Sequence, residues 1–371
     1  MNTSNRLYFL DNLRAFVVLL VIVLHGSMTY MAYAPEWWYV LDSQNSLFYT
    51  MLVLLIDVPI MPILFFLAGY FALSSLQKRG SAQFLKDKLL RIGIPWIFGV
   101  LFLAPLSAYM IYYSRQVPMD YLTFWRTDFW GVMYQQSVYW FLGILFALFI
   151  VLALAGMLSQ RLRDATQKVV LPTWKVYIIF IGIMAAGFFL ATLFYPLDFW
   201  TNNYIFVYQP ERVPLYIGYF VLGILAYLWA WFTGDGYKPK PASWGVACLI
   251  FGVAYLGMRI GFGAVLPTSV ALKAINALLF NAFCFTALMA GAAFFQSYVY
   301  RTTPIWQSLS ASSYGIYYIH PLILYPLAYL LVGIALPLFV KWFVLILTTI
   351  LICWGLSALI LKRIPLLRDM F

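Results

Sequence analysis

Apolar runs long enough to cross a bilayer recur along the chain, separated by short polar segments. At about 20 apolar residues per crossing they predict helices over residues 10–31, 47–76, 92–113, 136–158, 173–195, 213–233, 243–265, 272–297, 312–333 and 340–361. The fold class that follows is all-α, a polytopic membrane protein with about ten transmembrane helices and both termini cytoplasmic. No linker, low-complexity tract or second compositional regime interrupts the pattern, so residues 1–371 are expected to form a single membrane domain.

Composition sharpens this picture. The 371 residues are 64% hydrophobic, 20% aromatic and only 9% charged, with a mean hydropathy of +0.88. A soluble domain is roughly half apolar and a quarter charged, so disorder, collagen and a small disulfide-stapled secreted fold are excluded. The net charge of +11 is better judged by its placement than by its size. With the N-terminus inside, the inner segments hold Arg6, Lys78, Arg79, Lys86, Lys88, Arg91, Arg161, Arg163, Lys168, Lys238, Lys240, Arg301, Lys362, Arg363 and Arg368. The outer segments hold only Arg115, Arg126 and Arg212, together with the acids Glu36, Asp42, Asp120, Asp128, Asp198 and Glu211. This is the positive-inside signature of topology. No basic stretch is interleaved with a nucleic-acid motif, so no nucleic-acid partner is expected.

The first apolar run is preceded by Arg6 and Arg14 and followed by Ala32-Tyr33-Ala34, a small-x-small triplet of the kind export signals carry. Asp11 in its basic region and His25 in its apolar core argue against cleavage. Cys248, Cys284 and Cys353 lie singly in apolar runs, which predicts buried small side chains, with neither a disulfide framework nor a metal site. Two outer stretches, residues 114–135 and 195–214, are rich in aromatic and amide side chains. They are expected to pack over the helix ends, where stacked rings would suit sugars; for any single residue, a place in the interfacial aromatic belt is an equal reading.

Ionisable residues inside a span cost a few kcal/mol, roughly, and mark function. In the first helix, Arg14 and His25 are eleven residues apart, which places them on one face ~16 Å apart along the axis. Asp11 lies one turn below Arg14, at i and i+3, where the two can pair. Arg14 and Asp11 read either as a functional pair or as a snorkelling interfacial anchor. His25 reads either as a reactive imidazole or as a packing one bonded to a neighbouring helix. Asp57, inside the second run, either pairs with a cation or orients His25. Lys88 and Arg91, three apart on one helical face, suit a phosphate clamp, and equally satisfy the positive-inside rule alone. In the ninth helix Ser313, Tyr317 and His320 form a polar seam at i, i+4 and i+7. Pro321 has no N–H for the carbonyl of Tyr317, which frees that oxygen beside His320. His320 is a second active-site group or a structural residue at a bend.

Together, Leu10-Asp11-x-x-Arg14, His25, Phe66-x-x-Gly69-Tyr70, Lys88-x-x-Arg91-x-x-Ile94-Pro95 and Ser313-Tyr314-Gly315-Ile316-Tyr317-x-Ile319-His320 resemble the acyltransferase 3 family of integral membrane O-acyltransferases. Tyr8-Phe9-Leu10-Asp11, Trp140-Phe141-Leu142, Pro214-Leu215-Tyr216 and Phe220-Val221-Leu222-Gly223 look most like its glucan-modifying, succinyl-transferring branch. The resemblance implies an enzyme of the bacterial inner membrane that moves an acetyl or succinyl group from cytoplasmic acyl-CoA to a hydroxyl of an extracytoplasmic carbohydrate. It implies His25 as the catalytic base supported by Asp11 and Arg14, and Lys88, Arg91 and Arg14 as contacts to coenzyme A. Asp57, Ser313, Tyr317 and His320 become candidates for supporting or substrate-contacting roles, with Tyr317, Ser313 or a helix-end N–H as alternative oxyanion donors. Thioesters are already activated, so acyl-CoA is the one co-substrate expected and no metal is needed. Two positions depart from the pattern: Lys88 stands where the family often has Arg, losing the bidentate fork, and Val138 stands where glucan-branch relatives have a histidine before Trp-Phe-Leu. A transporter or flippase for an envelope glycan or lipid precursor is the alternative class. It predicts an internal repeat with paired broken helices, and none is visible. The acceptor's identity, the acyl chain, the oligomeric state and whether His25 acts as a base in direct transfer or is itself acylated first are not legible in the sequence.

Overall fold

A computed structural model describes residues 7–301 and 303–359. Arg6, Lys362, Arg363 and Arg368 of the charge analysis lie outside the described residues. Ten long helices follow one another: α1 (Tyr8–Met28), α2 (Leu47–Arg79), α3 (Ser81–Ser114), α4 (Trp140–Leu158), α5 (Trp174–Phe194), α6 (Val213–Leu228), α7 (Pro241–Phe262), α8 (Val270–Tyr298), α9 (Pro304–Leu331) and α10 (Leu338–Leu359). Among the described residues nine of them, all but α9, are long and apolar enough to cross a membrane. Helix α9 is 28 residues long but carries the Ser, Tyr and His seam, which lowers its apolarity. The chain is an all-α polytopic membrane protein. Its one strand pair among the described residues is a short hairpin, Thr201–Asn202 against Val207–Tyr208.

The boundaries that move most are at the basic hairpin, at α9 and at the end of α6, which stops at Leu228 rather than at residue 233. Helix α2 runs on to Arg79 and α3 starts at Ser81, so both arms of the hairpin are helical around Gly80, whose φ of +75° is the left-handed region that glycine enters without strain. Helix α3 contains two π turns, Leu89–Gly93 and Gly99–Leu103. Each is followed by a proline, Pro95 or Pro105, whose missing N–H leaves the carbonyl of Arg91 or Leu101 without its α-helical donor. Helix α9 starts at Pro304 rather than at residue 312, with Thr303 Oγ1 capping the N–H of Trp306 at 3.3 Å.

Two of the quoted motifs meet each other in the fold. A Cβ on Gly69 would stand 2.0 Å from the carbonyl oxygen of Phe220, and one on Gly223 would stand 2.1 Å from that of Phe66. Phe66-x-x-Gly69 and Phe220-x-x-Gly223 are thus the two sides of one close α2–α6 crossing, which only glycine backbones allow.

Contacts sort the connecting segments into two ends. At one end Asn12 donates to the carbonyls of Val299 and Arg301, Gln77 to those of Leu162 and Ala165, and Gln296 to that of Phe232. At the other, Asp42 meets Lys341, Arg115 donates to the carbonyls of Glu36 and Trp38, and Arg259 meets Asp198. These are the two groupings that the charge pattern separates; the end that holds the basic hairpin is called the inner end and the opposite one the outer end.

Candidate active site

His25, in the outer half of α1, is half-buried and turned into the bundle. Its Nδ1 lies 2.8 Å from Nε2 of His320 on α9. His320 is completely buried, and its Nδ1 lies 2.7 Å from the carbonyl oxygen of Tyr317. That oxygen is the one Pro321 leaves without an α-helical N–H. The two imidazole planes are 13° apart with centroids separated by 5.1 Å, far more than the 2.8 Å between the facing nitrogens. The rings therefore meet edge to edge, nearly coplanar, as an in-line hydrogen bond requires.

Helix α9 is fixed from its other side. Tyr317 donates its hydroxyl to the carbonyl of Val138 at 2.5 Å, Tyr318 to that of Pro95 at 2.9 Å, and Tyr139 to that of Tyr318 at 3.0 Å. Ser313 Oγ donates back to the carbonyl of Ser310 at 2.9 Å. Of the expected seam only His320 reaches His25. The single protons of the Ser313 and Tyr317 hydroxyls are given to backbone acceptors.

A loop between α1 and α2 covers the imidazole pair from the outer side. The Trp38 ring centroid lies 5.6 Å from that of His25; the residue is buried, and its indole N–H has no hydrogen-bond partner among the described residues. Tyr39 stacks on Tyr325 of α9 at 4.0 Å and donates to Gln135 Oε1 at 2.5 Å. Burial pushes the Tyr39 phenol up to about 12, which keeps it a donor at neutral pH.

At the inner end of α1, Arg14 pairs with Asp11 at 3.1 Å and approaches the carbonyl of Ser310 at 3.5 Å, with its side chain more than a third exposed. The same stripe of one helix thus runs from an accessible guanidinium to the His25 imidazole. The helix that carries Lys88 and Arg91 is not an uninterrupted α-helix. A π turn, Leu89–Gly93, starts between them, Lys88 Nζ sits 4.4 Å above the ring of Phe149 on α4, and Arg91 is exposed.

Asp57 does not orient His25. Its carboxylate takes the alternative role, 2.5 Å from Arg212, which also approaches Asp198 at 3.6 Å; Asp198 in turn holds Arg259 at 2.7 Å. Burial acts against the charge of Asp198, but Arg259 and then Arg212 outweigh it and hold its carboxyl below the usual range. The sequence reading passed over Trp38, Arg259 on α7 and Lys341 on α10. For the two cations a signal was present, since both fall inside predicted spans. Nothing in the sequence marked Trp38 apart from other interfacial tryptophans.

The two outer stretches do pack together: Tyr134 donates to the carbonyl of Tyr204 at 2.6 Å, Tyr204 to that of Trp130 at 3.0 Å, and Gln136 to that of Ile205 at 2.9 Å. Beside them an open cleft of about 380 Å³ is walled by Tyr109, Tyr113 and Tyr329, with Gln116 at its edge.

A family model described as an acyltransferase domain matches residues 7–358, nearly the whole chain, through every element of this site. The chain belongs to the acyltransferase 3 family. It is a membrane acyltransferase, and its similarity to curated proteins points the same way. Over 269 residues it is 24% identical to the glucans biosynthesis protein C of Escherichia coli O81 (strain ED1a), covering 70% of this chain and 68% of that protein. The same values hold for the glucans biosynthesis protein C of Escherichia coli (strain K12). No solved structure matches the chain.

Proposed function

We propose that the protein transfers an acyl group, acetyl or succinyl, from cytoplasmic acyl-CoA to a hydroxyl of an extracytoplasmic carbohydrate, with His25 as the general base. The orientation is the one the basic hairpin Lys78 to Arg91 favours, with that end in the cytoplasm of a bacterial inner membrane. One observation carries the reading: α1 holds an accessible Arg14–Asp11 pair at its inner end and, on the same stripe, an imidazole turned into the bundle and backed by a buried hydrogen-bonded partner. A pantetheine arm extended beside α1 spans the ~16 Å between them, leaving its nucleotide at the inner rim near Arg14, Lys88 and Arg91.

The chemistry then needs little else. His25 takes the proton from the acceptor hydroxyl as its oxygen bonds to the thioester carbonyl carbon. The tetrahedral intermediate collapses with cleavage of the C–S bond, and the proton passes from the imidazolium to the leaving thiolate, giving ester and free coenzyme A. The buried indole N–H of Trp38, without a hydrogen-bond partner among the described residues and in a ring 5.6 Å from that of His25, is assigned to the oxyanion. A glucan-type acceptor fits the relatives' printed name and the Tyr109, Tyr113 and Tyr329 cleft, whose rings and amide suit sugars.

The test is transfer of labelled acyl from acyl-CoA to envelope glycans by membranes carrying the intact protein, His25→Ala or Arg14→Ala. Loss in the His25 variant at unchanged folding is expected, with a raised KM for acyl-CoA in the Arg14 variant. Full activity without His25 would remove it from the mechanism.

A further inference from the structure

We infer that His320 is a positioning residue that fixes the proton of His25 on Nδ1, leaving Nε2 of His25 as the basic atom of the site; this rests on the acyl-transfer reading above. A backbone carbonyl only accepts, so the 2.7 Å contact between Tyr317 O and His320 Nδ1 requires a proton on that nitrogen. A neutral imidazole carries one N–H, so His320 Nε2 has a lone pair and accepts. The 2.8 Å contact facing it is then an N–H donated by His25 Nδ1, and the lone pair of His25 falls on Nε2. That nitrogen makes no hydrogen bond or ion pair among the described residues.

The arrangement begins in the covalent structure of Pro321. An ordinary residue there would donate its N–H to Tyr317 O in the α-helical ladder; proline cannot, and the oxygen faces the His320 ring instead. The seat is rigid, because Tyr317 and Tyr318 are tied through their hydroxyls to Val138 and Pro95, and His320 has no exposed surface. When His25 takes the acceptor's proton on Nε2 it becomes an imidazolium that still donates from Nδ1. His320 remains neutral throughout, stabilising that cation by accepting, and releases no proton. It therefore does the work that a carboxylate does in a Ser-His-Asp arrangement, with a neutral ring anchored to a carbonyl in place of a buried charge that a lipid-embedded site would hold only at great cost.

The chain contains two histidines, so histidine-selective ¹⁵N labelling of the full-length protein, with a purification tag lacking histidine, reports on this pair alone. Solid-state NMR in lipid at neutral pH is expected to show both rings protonated at Nδ1, the minor tautomer of free histidine, with a coupling between His25 Nδ1 and His320 Nε2. Kinetics gives the second readout. His320→Gln retains an amide oxygen near the position of the lost Nε2, while His320→Leu retains no acceptor. The Leu variant is expected to lose on the order of 10²-fold or more in kcat, as when a tautomer-fixing partner is removed, with KM for acyl-CoA unchanged, and the Gln variant to recover about tenfold of it. A majority of His25 protonated at Nε2, or equal kcat in the Gln and Leu variants, would overturn the inference. Because the spectra need no turnover, Nδ1-protonated rings in a protein without transferase activity would refute the enzyme reading while upholding the tautomer assignment.

Discussion

Lys341 Nζ lies 2.9 Å from the carboxylate of Asp42, and each side chain is only 1% exposed. This ion pair joins α10 to the loop that carries Trp38 over His25, so it connects the stability of the outer side to the shape of the site. Removing one partner leaves a buried charge without its counterion, which typically costs about 3–5 kcal/mol. Lys341→Met is expected to lower thermal stability in detergent strongly, and the double variant Lys341→Met with Asp42→Asn to recover much of the loss. An additive double variant would contradict a direct pairing.

The α2–α6 crossing predicts a position-specific response to a single methyl group. Gly69→Ala and Gly223→Ala each place a Cβ within about 2 Å of a backbone oxygen that cannot move aside, so the helices must separate, at a cost of about 1–3 kcal/mol or more. Gly182→Ala on α5, where a Cβ meets nothing within 4 Å, is expected to be neutral or mildly stabilising through helix propensity. Unfolding midpoints of the three variants, measured side by side, check this.

Asp198 gives the outer network a pH dependence whose sign is fixed. Its folded-state carboxyl is held below the unfolded value by Arg259 and Arg212 against the opposing effect of burial. It therefore contributes stability that is fully present above the unfolded pKa of about 4 and is lost as pH falls through the depressed folded value. Stability measured from pH 7 downward is expected to fall less steeply in Asp198→Asn than in the parent protein, and the two curves are expected to converge in acid.

Trp38→Phe keeps a ring against His25 and removes the unpartnered indole N–H. If that N–H meets the oxyanion, kcat falls by about 10²-fold while KM for acyl-CoA stays within a factor of two. An unchanged kcat would assign Trp38 to packing alone.

Much of the architecture was legible because each span must satisfy its own backbone and keep its apolar length, so ten helices could be read from the runs alone. The Arg14–Asp11 pairing and the freed carbonyl of Tyr317 were legible too, since both follow from local spacing and from the chemistry of proline. Relationships between distant segments were not. His25 and His320 are 295 positions apart, and periodicity places each on a face without saying which faces meet. Asp57 had two candidate partners in the sequence, and the tertiary fold chose Arg212. The Lys88–Arg91 spacing assumed α-helical winding, and a π turn that periodicity does not signal starts between them. Arg259 and Lys341 were visible as charges within spans, but their carboxylate partners lie in outer loops far along the chain.

The most direct measurement uses oriented proteoliposomes, with radiolabelled acyl-CoA confined to the side of the basic hairpin and a glucan acceptor confined to the other. Labelled glycan ester appearing across the membrane with the parent protein, and absent with a folded His25→Ala variant, is the result predicted. Ester formed only when donor and acceptor share one compartment, or formed equally well without His25, would contradict transfer through the bundle at that imidazole.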